Sequence, residues 1–88
     1  MERQGVDFKE IRNLSVRFTP DEIESCINSQ IESGENTCKV TGAVEEIINE
    51  LAKAKYVRKK MEQGVTQKDA VRDLAKKIRS IQLNNTSA

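Results

Sequence analysis

The sequence predicts an all-α fold: a small four-helix bundle-like domain with a short first helix and a long third helix. Apolar residues recur every three or four positions along four segments, as on the buried face of an amphipathic helix. Aromatic residues are scarce, and no stretch alternates apolar and polar residues as a half-buried strand does. A chain of 88 residues suffices for one core. We therefore predict one domain over residues 1–83 and a disordered tail over residues 84–88.

The first two helices are predicted from signals at their ends. The first is expected over residues 6–17. The second should begin after Thr19, whose hydroxyl can cap the first turn, while Pro20 suits the first helical position and Glu22 completes a capping box. Gly34 suits its C-terminal end. The positions expected to face the core are Ile23, Cys26, Ile27, Gln30 and Ile31.

The third and fourth helices follow a loop over residues 34–41. Thr41 is the predicted cap of the third helix, Gly64 its end, and Thr66 the predicted cap of the fourth. As the longest helix, the third is expected to occupy the centre. The predicted buried positions are Val44, Ile47, Ile48, Leu51 and Ala54, then Ala70, Val71, Leu74, Ala75, Ile78 and Ile81.

Two charged residues continue the apolar stripe of the third helix, Lys55 and Arg58. Either they interrupt a core face, or the helix leaves the core at this point and projects a charged end. In the second case, a dimer partner could cover the edge between Val57 and Met61.

The net charge of +1 conceals a separation of charge along the chain. Residues 1–50 carry eleven acidic and five basic side chains, a net charge of −6. Residues 51–88 carry ten basic and three acidic side chains, a net charge of +7. The basic half, residues 51–88, is expected to bind an acidic surface or nucleic acid. Alternatively, it faces the acidic half of the same molecule.

The candidate basic interaction surface comprises Lys53, Lys59, Lys60, Lys68, Arg72, Lys76 and Arg79. The last four follow one line along the fourth helix, where Asp69 and Asp73 are spaced to pair with Lys77 instead. Tyr56 is a candidate for stacking on a base or packing at an interface, although packing over the first helix is the favoured reading.

Residues 64–75, Gly-Val-Thr-Gln-Lys-Asp-Ala-Val-Arg-Asp-Leu-Ala, resemble the opening of a bacterial helix-turn-helix. That resemblance implies a glycine turn and a second, recognition helix. Residues 76–81 continue the same helical pattern instead, so a helix-turn-helix is not predicted. No family resemblance covers the full length.

The two cysteines match neither a Cys-x-x-Cys redox motif nor a zinc site in their spacing. Cys26 lies on the apolar stripe of the second helix and is expected to be a small core residue. Cys38 is the candidate reactive thiol, because the ammonium group of Lys39 beside it would favour the thiolate. An incidental loop thiol is the alternative reading.

Enzymatic activity is not predicted. The chain contains no histidine, the commonest general base and metal ligand, and no phosphate-binding glycine loop or nucleophile motif. No metal or cofactor is expected. The acidic residues near the start of the third helix are explained by capping and solvation.

The most favoured function is therefore a non-enzymatic protein–protein interaction or regulatory module, with self-association as an option. A nucleic-acid-binding protein with little sequence selectivity is the first alternative, and a thiol-based regulator at Cys38 is the second. Neither a membrane span nor a secretory signal can be read, so a cytoplasmic location is expected.

Overall fold

A computed structural model describes residues 8–86, with side chains described as far as Arg79. The four helices are α1 (Phe8–Arg17), α2 (Pro20–Ser33), α3 (Val44–Glu62) and α4 (Gln67–Thr86). No strand occurs among these residues, so the predicted all-α fold is confirmed. The predicted start of the first helix at Val6 lies outside the described residues.

The predicted ends of α2 are confirmed. The backbone N–H of Glu22 donates to the Thr19 hydroxyl at 3.2 Å, and the Thr19 N–H donates to the Glu22 carboxylate at 2.9 Å. This reciprocal pair is a capping box, which provides partners for N–H groups that a helix start otherwise leaves unpaired. At the other end, Gly34 adopts a left-handed φ of 78° and donates to the Gln30 carbonyl oxygen.

The start of α3 differs from the prediction. The N-cap residue is Ala43 rather than Thr41, and it has no side-chain acceptor for the first N–H groups of α3. Glu46 reaches back to the Ala43 N–H at 3.4 Å, which is only half of a capping box. At the far end, Gly64 has a φ of 98°, and the Val65 N–H bonds to the Lys60 carbonyl, as in a Schellman turn.

α4 begins as predicted and ends later than predicted. The Asp69 N–H donates to the Thr66 hydroxyl at 3.2 Å, which confirms Thr66 as the cap. The helix then runs without interruption to Thr86, through the first part of the segment predicted to be a disordered tail. Residues 87–88 lie outside the described residues, as does the side chain of Ile81. The uninterrupted helix agrees with the decision against a helix-turn-helix.

α3 is the central helix, because it contacts α1, α2 and α4, whereas α2 and α4 do not contact each other in the described structure. The central position is confirmed, although α4, with 20 residues, is one residue longer than α3, with 19. The buried apolar core is formed by Ile11, Leu14, Ile23, Cys26, Cys38, Val40, Ile47, Leu51, Ala54, Val57, Ala70, Val71 and Leu74. All four helices therefore contribute to one core.

Two members of the predicted stripes are not buried. Ile31 is 63% exposed and Val44 is 54% exposed, because each lies at an end of its helix, beyond the reach of the neighbouring helices. Ile27 and Ile48 are half-buried. The amphipathic pattern thus predicted the core correctly in the middle of each helix and overestimated it at the ends.

Lys55 and Arg58 do not mark a point where α3 leaves the core. Lys55 donates to the Glu24 carboxylate of α2 at 2.7 Å, and Arg58 donates to the Ser15 carbonyl oxygen of α1 at 3.2 Å. Val57 between them is fully buried, and Met61 packs partly against the core. The edge between Val57 and Met61, which a dimer partner could have covered, is therefore already covered within the molecule at Val57.

α1 is fixed to the other helices through its C-terminal polar groups. Ser15 is fully buried, and its hydroxyl donates to the Arg12 carbonyl oxygen at 2.8 Å. The Gln67 amide of α4 donates to that same carbonyl oxygen and to the Ser15 hydroxyl, at 2.9 and 3.0 Å. Arg58 completes the junction, so the buried hydroxyl has partners that compensate for its desolvation.

The different roles of two threonines provide a test of the fold. Thr19→Ala removes the capping hydroxyl of α2 and should lower the free energy of unfolding by about 1 kcal/mol. Thr41→Ala is the matched control and should change it by less than about 0.5 kcal/mol, because Thr41 caps no helix. Urea unfolding followed by circular dichroism measures both. Equal losses for the two variants would contradict the assigned start of α3.

Candidate functional site

The basic half of the sequence folds into two helical segments. The second half of α3 and all of α4 pack against each other across the turn at residues 63–66. We call their cationic surface the basic face; it comprises Lys53, Lys59, Lys60, Lys68, Arg72, Lys76, Lys77 and Arg79. This set is the predicted surface with Lys77 added, because the Lys77 ammonium group lies over the ring of Tyr56.

Ion pairs within the described residues neutralise this half only in part. The basic residues of 51–88 form four pairs, Lys55–Glu24, Arg58–Glu62, Lys60–Asp73 and Arg72–Asp69. Only the first joins the basic half to the acidic half. The other three use the few carboxylates of residues 51–88 themselves. The expectation that the two halves neutralise each other within the molecule is therefore met at a single pair.

Six cations of residues 51–88 have no carboxylate within 4.0 Å in the part of the chain whose side chains are described. They are Lys53, Lys59, Lys68, Lys76, Lys77 and Arg79. All except the half-buried Lys53 are exposed. Among the side chains that the structure describes, five of these cations therefore present positive charge to solvent without a carboxylate partner.

The line of basic residues on α4 points away from the core. At about 100° per residue, Lys68, Arg72, Lys76 and Arg79 lie within roughly 80° of one another on the helix surface. The buried residues of α4, such as Leu74, lie on the opposite side. Arg72 approaches Asp69 at 3.9 Å, so one position is paired within α4 itself, which the sequence did not predict. With both side chains about 60% exposed, this pair contributes little.

Tyr56 lies at the seam between α3 and α4. Its half-buried ring packs against the core, with the ammonium groups of Lys60 and Lys77 over it at 5.7 and 5.4 Å from the centroid. Lys60 also approaches the Asp73 carboxylate at 3.7 Å. Both ammonium groups lie within the range of cation–π attraction. The ring therefore supports two cations of the basic face.

The structure brings some of the predicted site residues together and separates others. Tyr56 and Lys60 meet at the seam, whereas the α4 line lies on a different strip of the surface. Packing of Tyr56 over α1 was favoured, yet Lys77 of α4 lies over its ring. Lys77 was predicted to pair with Asp69 or Asp73, and these carboxylates pair with Arg72 and Lys60 instead. Contacts between helices decide the partners of Lys60 and Lys77, which spacing along one helix does not reveal.

The prediction of a free thiol at Cys38 is wrong. Cys38 is bonded to Cys26 in a disulfide, and the two residues are only 3% and 2% exposed. The loop folds back onto α2, so a residue predicted to be exposed in a polar loop becomes part of the core. Cys26 is buried as predicted, although as half of a disulfide. Two cysteines, one on a helix and one in the following loop, are the only signal that the sequence offered for this pairing.

No group of three or more His, Cys, Asp or Glu side chains is placed to hold a metal ion in the described part of the chain. None of the described helices is long and apolar enough to cross a membrane.

The fold and this surface define a small all-α domain with one cationic side. The family model DUF6952, described as a family of unknown function, matches residues 7–82, and the chain therefore belongs to this family. No curated protein and no solved structure matches the chain significantly.

Removal of one cation from Tyr56 tests the seam. Lys77→Ala should lower the free energy of unfolding by about 0.5 kcal/mol, the contribution of an exposed cation–π contact. It should also make Tyr56 more accessible to a fluorescence quencher. Tyr56 is the single tyrosine and tryptophan is absent, so the emission reports this ring alone. Lys76→Ala, one residue away and equally exposed, is the control; an identical response of both variants would contradict the contact.

Proposed function

We propose that this protein is a non-enzymatic interaction module whose basic face binds an acidic segment of a partner protein. The observation that carries the proposal is the surplus of exposed cations without carboxylate partners on α3 and α4. Charge that is not compensated within a molecule raises the association rate with an oppositely charged partner and favours that partner over others. The acidic helix α2, which does not contact α4 in the described structure, repels such a partner and favours its approach from the side of α4.

The non-enzymatic part of the proposal rests on chemistry. The sequence offers no histidine. Its two cysteine sulfur atoms are joined in a disulfide, which removes the only thiol nucleophiles in that state. The Ser15 hydroxyl is occupied by structural hydrogen bonds, because it donates to the Arg12 carbonyl oxygen and accepts from the Gln67 amide. These features support binding over catalysis.

An acidic protein is favoured over nucleic acid because of the seam. A base that stacked on the Tyr56 ring face covered by Lys60 and Lys77 would have to displace these ammonium groups. A carboxylate can bind the same two ammonium groups without moving them, as a phosphate could, so the seam disfavours base stacking in particular. No second, recognition helix follows α4 within the described residues to read base edges. Nucleic acid is therefore the competing outcome of the test.

Location and oligomeric state are further parts of the proposal. We also propose a cytoplasmic location. Disulfides in cytoplasmic proteins are as a rule transient and redox-sensing, and we expect the same of the Cys26–Cys38 disulfide. Self-association stays a prediction. The exposed large apolar side chains, Val16, Ile31 and Val44, are spread over three helices.

Titration of the protein with a short glutamate-rich peptide and, separately, with a short DNA duplex tests the proposal. Amide NMR shifts should occur for the peptide at the basic face, together with a change in Tyr56 fluorescence. They should weaken as salt shortens the Debye length from about 30 Å at 0.01 M to about 10 Å at 0.1 M. Binding of the duplex without binding of the peptide would replace the proposal by the nucleic-acid alternative, and no shift with either probe would contradict both.

A pair of variants with equal net charge separates the basic face from overall charge. Lys76→Ala with Arg79→Ala should raise the peptide Kd about fivefold, the effect of losing two exposed charge contacts. Lys9→Ala with Arg12→Ala removes two exposed cations from α1 and should leave Kd nearly unchanged. Isothermal titration calorimetry measures both constants. Equal weakening would show that only net charge matters.

A further inference from the structure

The loop between α2 and α3, residues 34–43, is held to the core by a small number of contacts. Asn36 is one anchor: its amide donates to Gln30 of α2 at 2.8 Å and to the Val40 carbonyl, and its side-chain oxygen accepts from the Val40 N–H at 3.1 Å. The burial of Val40 is another. The disulfide between Cys38 and Cys26 is the third anchor, a covalent cross-link from the loop to α2 in addition to the backbone.

The backbone next to the disulfide is strained. Lys39 has a φ of 62°, the one positive φ of a non-glycine residue among those described. A lysine in the left-handed region stores strain and persists only where the surrounding structure enforces it. Cys38, bonded to α2, precedes Lys39, and Val40, buried in the core, follows it. These two attachments hold the unfavourable conformation in place.

The clamped loop also closes one side of a cavity. A cavity of about 640 Å³ lies between the loop and the start of α3, with Asn36, Lys39 and Val40 on the loop side and Val44 and Ile47 on the helix side. Val40 and Ile47 are almost fully buried while the loop is closed. Movement of the loop away from α2 would enlarge this cavity and expose both apolar side chains.

We propose that the Cys26–Cys38 disulfide is a redox-controlled clasp, which a dithiol opens to release residues 34–43 while the four helices stay folded. The clasp lies in the acidic half of the chain, so the proposal does not depend on the basic face. It replaces the predicted thiol regulator at Cys38 by a pair of cysteines with two states.

The chemistry is thiol–disulfide exchange with a dithiol as the reductant. A thiolate of the dithiol attacks the Cys38 sulfur, forms a mixed disulfide and expels the Cys26 thiolate. The Thr37 hydroxyl lies 3.5 Å from the Cys26 sulfur and can donate a hydrogen bond to that thiolate. The second thiol of the reductant then attacks its own bonded sulfur and releases Cys38. The two protons of the dithiol pass to the cysteines, and the dithiol leaves as a disulfide.

Access to the sulfur atoms links exchange to loop motion. Both cysteines are almost fully buried, so a thiol reaches them only when the loop lifts from α2. After reduction, Asn36 and Val40 alone retain the loop, and Lys39 can relax from its strained conformation. Loss of a cross-link that closes a loop of this size should increase the open fraction by on the order of 100-fold.

Amide hydrogen exchange by NMR tests the clasp. The oxidised protein is prepared with glutathione disulfide and the reduced protein with dithiothreitol, and alkylation after denaturation counts free thiols in each. Reduction should accelerate exchange at the Val40 amide by on the order of 100-fold. The amides of Leu51 and Val57 in the centre of α3 should keep their protection.

The variant with both Cys26→Ser and Cys38→Ser is the control. It should match the reduced protein and be insensitive to dithiothreitol. Three results would overturn the clasp: no disulfide formed with glutathione disulfide, Val40 exchange unaffected by reduction, or loss of protection at Leu51 and Val57 as well. Loss of protection at Leu51 and Val57, or unfolding of the serine variant, would show that the disulfide stabilises the whole fold rather than the position of one loop.

Discussion

The burial of α3 against three other helices is the constraint on which the rest of the structure depends. Leu51, Ala54 and Val57 are fully buried, and α3 contacts α1, α2 and α4. Since α2 and α4 do not contact each other in the described structure, α3 separates them. It therefore also separates the acidic α2 from the basic α4. α1, which belongs to the acidic half of the sequence, contacts both α3 and α4. The charge separation along the sequence is thus kept in space between α2 and α4.

That arrangement explains the partners of the charged residues on α3. Lys55 faces α2 and finds Glu24, whereas Lys60 faces α4 and finds Asp73. On the α4 side, cations outnumber carboxylates, so most of them lack a carboxylate partner among the residues whose side chains are described. Tyr56 provides an aromatic surface for Lys77 in place of a carboxylate, and for Lys60 in addition to Asp73. The basic face thus results from the position of α3 between α2 and α4.

The sequence predicted features that depend on neighbouring residues alone. The caps at Thr19 and Thr66, the left-handed end at Gly34 and the apolar stripes follow from local hydrogen bonding and helical periodicity, and the structure confirms them apart from the ends of the stripes. The start of α3 was predicted at Thr41 and lies after Ala43. Its position depends on a loop that a disulfide and Asn36 hold in place, and a local cap signal carries no information on that loop.

The features that the sequence did not predict all join distant residues. The disulfide joins a helix to a loop, Lys77 reaches Tyr56 across the seam, and Gln67 bonds to Ser15 of α1. Each depends on how the helices pack, which periodicity leaves open. The candidate basic residues could be named from charge alone, because surface lysine and arginine on amphipathic helices are exposed by default. The arrangement of these residues on the packed helices could not be predicted in this way.

The salt dependence of stability tests the separation of charge most directly. If α3 keeps the acidic and basic sides apart, repulsion among like charges on each side dominates, and added sodium chloride should screen it. The free energy of unfolding, measured by urea denaturation, should then rise between low salt and about 0.3 M. A fall of more than about 1 kcal/mol over that range would contradict the account, because it would show that attraction between the two halves stabilises the fold.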